Sequence, residues 1–421
     1  TSYDSTKTYY IRSSAYASAG WVLAKSTHTL SFANDGNYYA HVILLDDVGN
    51  ESKVHSSAQI IADRQAPTFV LSDPSDPNSA PLFYAYDASG AISVENSRLY
   101  TNEATFHVYF KVQDTGTVQS GIQQVVLSGN FENSPKTIGV SSMTNGAWDG
   151  TLTFTSSAAH TEQTITGVVS DNSGNTTTKT CTITYDPDPV GGEFVLKASA
   201  SDTNALQQYL NSSNNTFVAV INAIDGPDPD NLVETDIVYY QIYGDLQDHA
   251  TGTNYSWPAG QSSVTVSDLH LTTSDGSKNI YVKLIDRAGN ITTLGPVSRT
   301  YDATNPTGDL WVDTNPAQAS NRIRDVWIAD GSGSKNSTVI YYEAADATSG
   351  VASIVFTCNG SPAGTGSGSS GSWTFMGPHG LNPTPGATTG SNIIVMTVTD
   401  NSGNSITKTV TVSVEAAFTL D

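Results

Sequence analysis

The chain has 421 residues and a formal charge of −22, from 18 Lys+Arg against 40 Asp+Glu. That balance argues against nucleic acid and anionic membrane as partners, since both select clustered basic side chains, and it suits divalent cations or a cationic partner. The length allows two to four domains, and no run of eighteen apolar residues supplies a membrane span.

Charged residues make up only 14% and hydrophobic ones 38%, so the remaining polarity comes from Ser, Thr, Asn and Gly. With 20 Tyr, this reads as exposed β-structure with many turns and several small cores. With no initiator Met and no signal peptide, the sequence reads as a processed or excised piece.

In chain order, "KTYYIRSS" (7–14) matches a third-strand position of later units. The run "YYAHVILLDD" (38–47) then enters "DDVGN" (46–50) and reaches "ADRQAP" (62–67). The pattern returns as "TITGVVSD" (164–171), "DNSGN" (171–175), "TTTKTCTITYD" and "YDPDP" (185–189). It returns again as "NIYVKLID" (279–286), "DRAGN" (286–290), "ITTLGPVSRTYD" and "YDATNP" (301–306). A last copy is "NIIVMTVTD" (392–400), "DNSGN" (400–404) and "SITKTVTVSVE".

Two period-2 runs joined by a Gly/Asn turn predict a β-hairpin. The Asp accepts hydrogen bonds from its own turn, and the Gly takes the left-handed conformation without steric cost. D-x-x-G-N is therefore read first as turn chemistry, ahead of any catalytic role. Its aspartates at 46, 171, 286 and 400 are spaced by 125, 115 and 114 residues, which predicts tandem domains rather than a solenoid.

After each linker acid and proline a new apolar stretch begins: "TFVLSD" (68–73), "EFVLKA" (193–198) and "DLWVDT" (309–314). The expected domains are a partial one at 1–63, three at 64–186, 187–302 and 303–415, and the start of a further strand or domain at 416–421. A second motif recurs between strands as "QDTGTVQSGIQQVVL" (113–127) and "ADATSGVASIVF" (345–356), with "IDGPDPDNLVETDIVYYQI" (224–242) in the third unit. The fold class expected is all-β: tandem immunoglobulin-like Greek-key β-sandwiches in an elongated rod.

At "VVSDNSGNTTTKTCTITYDPDP" (168–189) and "VTDNSGNSITKTVTVSVE" (398–415) the chain resembles bacterial immunoglobulin-like repeats and the related hyalin-repeat domains. The resemblance covers the last hairpin of all four units, and the third unit departs from it with "DNLVETD" where Ser-Gly is expected. It implies an extracellular rod of sandwich domains in an adhesin, a surface layer or a filament.

No HExxH and no G-x-S-x-G is present, and "TGSGSSGS" (365–372) lacks the Lys and helix of a phosphate loop. No enzymatic activity is expected. Cys181 stands where Val410 stands in the last unit and reads as a buried core thiol; Cys358 ends an alternating strand and its state is open.

The aspartates carry the sharper expectation. In this topology the loop after the second strand, the last hairpin and the entering linker meet at one end of a domain. The first junction then gathers Asp63, Asp114 and Asp171. The second gathers Asp186, Asp188, Asp225, Asp228, Asp230 and Asp286. The third gathers Asp302, Asp346 and Asp400. Converging carboxylates repel unless a cation bridges them, and Ca²⁺ takes six to eight oxygens in flexible geometry. The cofactor expected is Ca²⁺ between domains; the competing reading is that these acids cap turns and face water.

The expected function is a structural or adhesive cell-surface protein, extracellular, with copies of itself or neighbouring surface proteins as partners. The alternative is a carbohydrate- or protein-binding module accessory to a secreted enzyme. Its receptor-contacting aromatics would be Tyr255 and Trp257, with Tyr239, Tyr240 and Tyr243 nearby, though strand aromatics are more often core. Sequons at Asn50, Asn175, Asn211, Asn214, Asn254, Asn290, Asn336 and Asn359 give weak support for a glycosylated surface. The chain starts partway through one domain and stops just inside another. It reads as a fragment of a longer repeat protein or, alternatively, as a strand-donating filament subunit.

Overall fold

The computed structural model describes residues 10–12, 22–23, 31–45, 50–53, 55–71, 83–88, 92–93, 98–158, 161–224, 237–249, 252–312, 322–329 and 336–415. Contacts group them into two compact units. One is built on residues up to 188 together with 287–290, and the other on 189–286 and 291 onward.

In the first unit, Tyr10–Arg12 pairs antiparallel with both Val22–Leu23 and His41–Leu45. The larger sandwich follows. Its one sheet runs in the order Arg98–Thr101, Thr176–Tyr185, Thr161–Asp171, Ile122–Ser128, Lys136–Gly139; the other runs Ala147–Thr153, Thr105–Gln113, Phe83–Tyr86, Ile92–Ser93. Thr105–Gln113 shows why these residues form a strand of a sandwich. Phe106, Val108, Phe110 and Val112 are buried, while His107, Tyr109 and Lys111 alternate with them on the outer face. Each such buried side chain contributes about 1.5–3 kcal/mol relative to exposure.

The second unit holds two sandwiches of one plan. Gly191–Lys197, Phe217–Ile224 and Ser263–Leu269 face the sheet Tyr209–Leu210, Ile291–Tyr301, Gly276–Asp286, Ile237–Gly244, Tyr255–Ser256. Thr307–Val312, Ser337–Ala345 and Ser370–Met376 face Asp325–Ala329, Ser405–Glu415, Gly390–Asp400, Val351–Cys358, Ser361–Gly366. In each sandwich the sheet that contains the last two strands sets them as its central hairpin, and an early edge strand lies parallel to the last one. Hairpin neighbours in one sheet with crossings to the other make this the immunoglobulin-like Greek-key arrangement. The tandem, all-β reading of the sequence holds.

Three separate cores fill these sandwiches, around Phe106 and Phe110, around Phe217 and Ile242, and around Phe356 and Phe375. Cys181 is buried opposite Ile165 as Val410 is buried opposite Ile394, so the thiol occupies a valine's place. Cys358, left open by the sequence, is also a fully buried core residue. Burial pushes the Cys181 thiol up to about 12 and that of Cys358 to about 11. On the outer face of the last sandwich, Arg322 donates to Asp309 and to both carboxylate oxygens of Glu343, and its guanidinium lies 4.3 Å from the Trp311 ring centroid. Arg324 adds a second ion pair to Asp309.

Candidate metal centre

The D-x-x-G-N turn builds itself as its residues require. Asp171 Oδ1 accepts from the backbone N–H of Ser173 and of Asn175, both at 2.9 Å. Asp400 Oδ1 accepts from Asn404 N–H at 2.9 Å. Gly174, Gly289 and Gly403 take φ of +90°, +92° and +93°, a conformation only glycine adopts freely.

The asparagine of the motif does work that reading it as a turn former left out. Asn175 Nδ2 donates to the backbone carbonyls of Asp63 and Gln65 at 3.0 and 3.2 Å, and to Asp171 Oδ2 at 2.8 Å. Asn404 Nδ2 does the same to Asp302, Thr304 and Asp400 at 2.9, 3.3 and 2.9 Å. Asn290 Nδ2 reaches the carbonyls of Asp186 and Asp188 at 3.0 and 3.1 Å. Three linkers are thus tied by one side chain repeated three times; its presence in every copy of the motif was the available signal.

The second motif position ties the turn to the loop after the second strand. Asn172 Nδ2 donates to the carbonyls of Ser120 and Gly121, and Asn401 Nδ2 to those of Ser349 and Gly350. The loop carboxylates hold their own backbone. Asp114 Oδ2 accepts from Gly121 N–H at 2.6 Å, and Asp346 Oδ1 from the N–H groups of Thr348, Ser349 and Gly350. The linker carboxylates close the circuit: Asp63 Oδ2 accepts from Ser120 N–H at 2.9 Å, and Asp302 Oδ2 from Ser349 N–H at 3.2 Å.

These ties bring linker, loop and turn acids together. Asp63, Asp114 and Asp171 each offer a carboxylate oxygen within 4.8 Å of the others, and so do Asp302, Asp346 and Asp400. All but the half-buried Asp346 are buried. Two unit charges about 4 Å apart repel by ~4 kcal/mol at an effective dielectric of 20, so each cluster needs compensation. Backbone N–H groups supply part of it. Burial alone would push the Asp63 carboxyl up, yet hydrogen bonds from the backbone of Ser120 and Gln65 hold it below the usual carboxylate range.

Asp114 Oδ1 lacks this compensation. It is a buried oxygen with no hydrogen-bond partner among the described residues, on a residue only 7% exposed. A buried acceptor in a cluster of like charge is what a hard cation satisfies, and carboxylate and carbonyl oxygens are the donor set Ca²⁺ takes.

The second expected group is not assembled among the described residues. Asp225, Asp228 and Asp230 lie outside them. Asp286 is buried at the end of its strand, Asp186 is half-buried and Asp188 exposed.

The expectation of receptor-contacting aromatics is corrected in part: Tyr239 is exposed, but others of the group are not. Trp257 and Tyr240 are core residues. The Trp257 indole N–H donates to the Gln261 carbonyl at 2.7 Å, and Tyr240 packs between the rings of Tyr255 and Trp257. Tyr243 stacks on Tyr281. The short strand Tyr255–Ser256 left too few residues for alternation to reveal its inner face. Among the sequon asparagines, the side-chain amides of Asn175, Asn211 and Asn290 donate to backbone carbonyls, that of the exposed Asn359 donates to the Gly386 carbonyl, and Asn336 is fully buried.

The chain is a protein of tandem immunoglobulin-like sandwiches. No family model matches the sequence, and no curated protein matches it. Among solved structures it is similar to a Ca²⁺-stabilized adhesin of an Antarctic bacterium, at 16% identity and a TM-score of 0.34, covering 98% of this chain and 90% of that one. It is similar to a tetra-tandem repeat from the extending region of a large adhesion protein, at 14% identity and a TM-score of 0.30, covering 98% and 92%. It is also similar to fibronectin(III)-like modules of CbhA from Clostridium thermocellum, at 13% identity and a TM-score of 0.26, covering 54% and 95%. Likenesses of this extent carry no functional weight, and the fold assignment rests on the strand orders above.

Proposed function

We propose that the chain is a non-catalytic, structural and adhesive segment of an extracellular surface protein. Its domains would be the sandwiches at 64–186, 187–302 and 303–415 after a partial one at 1–63, with Ca²⁺ bound where linker, loop and turn acids meet. The observation that carries the cation is the buried, unpartnered Asp114 Oδ1 beside Asp63 and Asp171. Asp63, Asp114 and Asp171 hold one ion, and Asp302, Asp346 and Asp400 offer a second place. The ion neutralises the clustered charge and stiffens a linker already tied by asparagine. A surface protein that transmits load needs its linkers held in this way. Copies of the chain or neighbouring surface proteins, and a glycan or protein receptor, are the partners this role implies.

Calorimetric titration of the chelator-treated chain with Ca²⁺ tests the reading. Expected are a binding heat and a higher thermal midpoint, both reduced in Asp114→Asn. Absence of heat together with an unmoved midpoint would overturn it.

A further inference from the structure

The edge strand that lies parallel to the last strand carries an aromatic at one recurring station. Tyr100 stands opposite Thr184, Tyr209 opposite Thr300, and Trp327 opposite Ser413. Thr184 and Ser413 each lie 13 residues beyond the turn aspartate, at 171 and 400. Thr300 lies 14 beyond Asp286, the extra residue being absorbed where the register shifts between Ile280 and Val282.

At the first station, and in the loop just beyond the second, a D-x-x-G-N turn is received. The Arg287 guanidinium lies 4.9 Å from the Tyr100 ring centroid, and its Nη1 donates to Tyr100 Oη at 3.1 Å. Two residues beyond Tyr100, Asn102 Nδ2 comes within 4.0 Å of the place a Cβ on Gly289 would take. Two residues beyond Tyr209, Asn211 Nδ2 donates to the Ser402 carbonyl at 2.6 Å and stands 3.5 Å from the corresponding place on Gly403. Arg287 and Gly289 belong to "DRAGN", and Ser402 and Gly403 to "DNSGN". The same edge strand with its following loop seats the same kind of turn twice.

At the third station the indole stands in water. Trp327 is 71% exposed, while Val326 and Ile328 beside it pack on the core. Exposed Asp325 and Glu415 flank it on the same edge and its neighbouring strand. Trp is the side chain that holds a cation most strongly over its ring, and the flanking acids favour a basic group.

We propose that the face around Trp327 is a docking surface for the D-x-x-G-N turn of a further immunoglobulin-like sandwich set in tandem after residue 415. The turn carries a basic residue at its second position, over the indole. The seated turns at Tyr100 and at Asn211 identify the occupant, and the acids beside Trp327 set its charge. Trp327, Asp325 and Glu415 are not members of the two described carboxylate clusters.

The test replaces residues 416–421 with a second copy of 187–302, which sets an Asp-Arg-Ala-Gly-Asn turn beyond Glu415. Trp327 emission is read as the difference between this protein and its Trp327→Phe form. Expected are emission at shorter wavelength and weaker acrylamide quenching than in the 421-residue chain, both reversed by Arg287→Ala in the appended copy. A second extension with a copy of 303–415, whose turn has Asn at that position, should protect the indole less. The proposal is overturned if Trp327 is quenched equally with and without either extension. It is also overturned if protection arises in the unextended chain on concentration, which would make a second copy the occupant.

Discussion

The side-chain amide of Asn404 donates to the backbone carbonyl of Asp302, 2.9 Å away in space and 102 residues earlier in the chain. The same amide holds the Thr304 carbonyl and the Asp400 carboxylate, so one short side chain fixes two points of the linker to the turn of the last hairpin. Backbone carbonyls at a linker have no ladder partner, and leaving them unpaired when part-buried costs free energy. The asparagine supplies what the ladder does not.

Replacing Asn404 with Ala should therefore destabilise the last sandwich and loosen its linker together. The expected loss is about 1–3 kcal/mol, since the two backbone carbonyls and the Asp400 carboxylate all lose a donor. Denaturant unfolding reads the loss, and amide exchange at Thr304 should rise in parallel. An unchanged exchange rate there would show that the linker is held by other contacts.

Gly174 has a φ of +90° and nothing within 4 Å of where its Cβ would stand. Gly174→Ala therefore isolates the backbone cost from any clash. It should lower stability by roughly 1–2 kcal/mol, the penalty of a left-handed conformation for an L-residue. A midpoint equal to that of the parent would remove the conformational argument for this glycine.

Cys181→Val should be nearly neutral, within about 1.5 kcal/mol, because valine already fills the equivalent place at residue 410 and the volumes are close. The native thiol should resist thiol reagents until the protein unfolds, since burial pushes it up to about 12 and hides it from solvent. Reaction at the rate of an exposed cysteine in the folded protein would contradict the core placement.

Asp309 tests the ionic network on the outer face of the last sandwich. Burial would push its carboxyl up, but hydrogen bonds from Arg322, Arg324 and the Leu310 N–H outweigh that and hold it below its ordinary value of 3.8. A carboxyl lowered on folding contributes stability that is present above the unfolded value and lost as pH falls through the folded one. Asp309→Asn should be less stable than the parent at neutral pH, and its stability should fall less steeply below about pH 4. Parallel acid limbs for the two proteins would show that the ion pairs contribute nothing.

Much of the fold is legible in particular residues. The alternation in Thr105–Gln113 and Gly390–Asp400 matches period two along its length, and a Gly/Asn turn between such runs leaves little freedom except a hairpin. The meeting of Asp63, Asp114 and Asp171 follows from strand order, because hairpin, loop and entering linker share one end. Side-chain partners were harder to foresee. Asn175 reads as a turn former from its neighbours, and the carbonyl of Asp63 that it holds lies 112 residues away. The inward aim of Trp257 was hidden for a different reason: it follows a two-residue strand, where a pleat has no room to declare its faces.

The asparagine ties also bear on how the protein must be made. Asn175 and Asn290 open Asn-Thr-Thr and Asn-Ile-Thr, the tripeptides to which eukaryotic secretory cells attach sugar as a chain emerges. A glycan on either Nδ2 would remove a donor and place a bulky group where the linker carbonyls of Asp63 and Gln65, or of Asp186 and Asp188, must approach. A cell that glycosylates before folding would thus synthesise the same polypeptide yet leave its joints unclosed. The choice of expression host is, for this molecule, a choice about architecture.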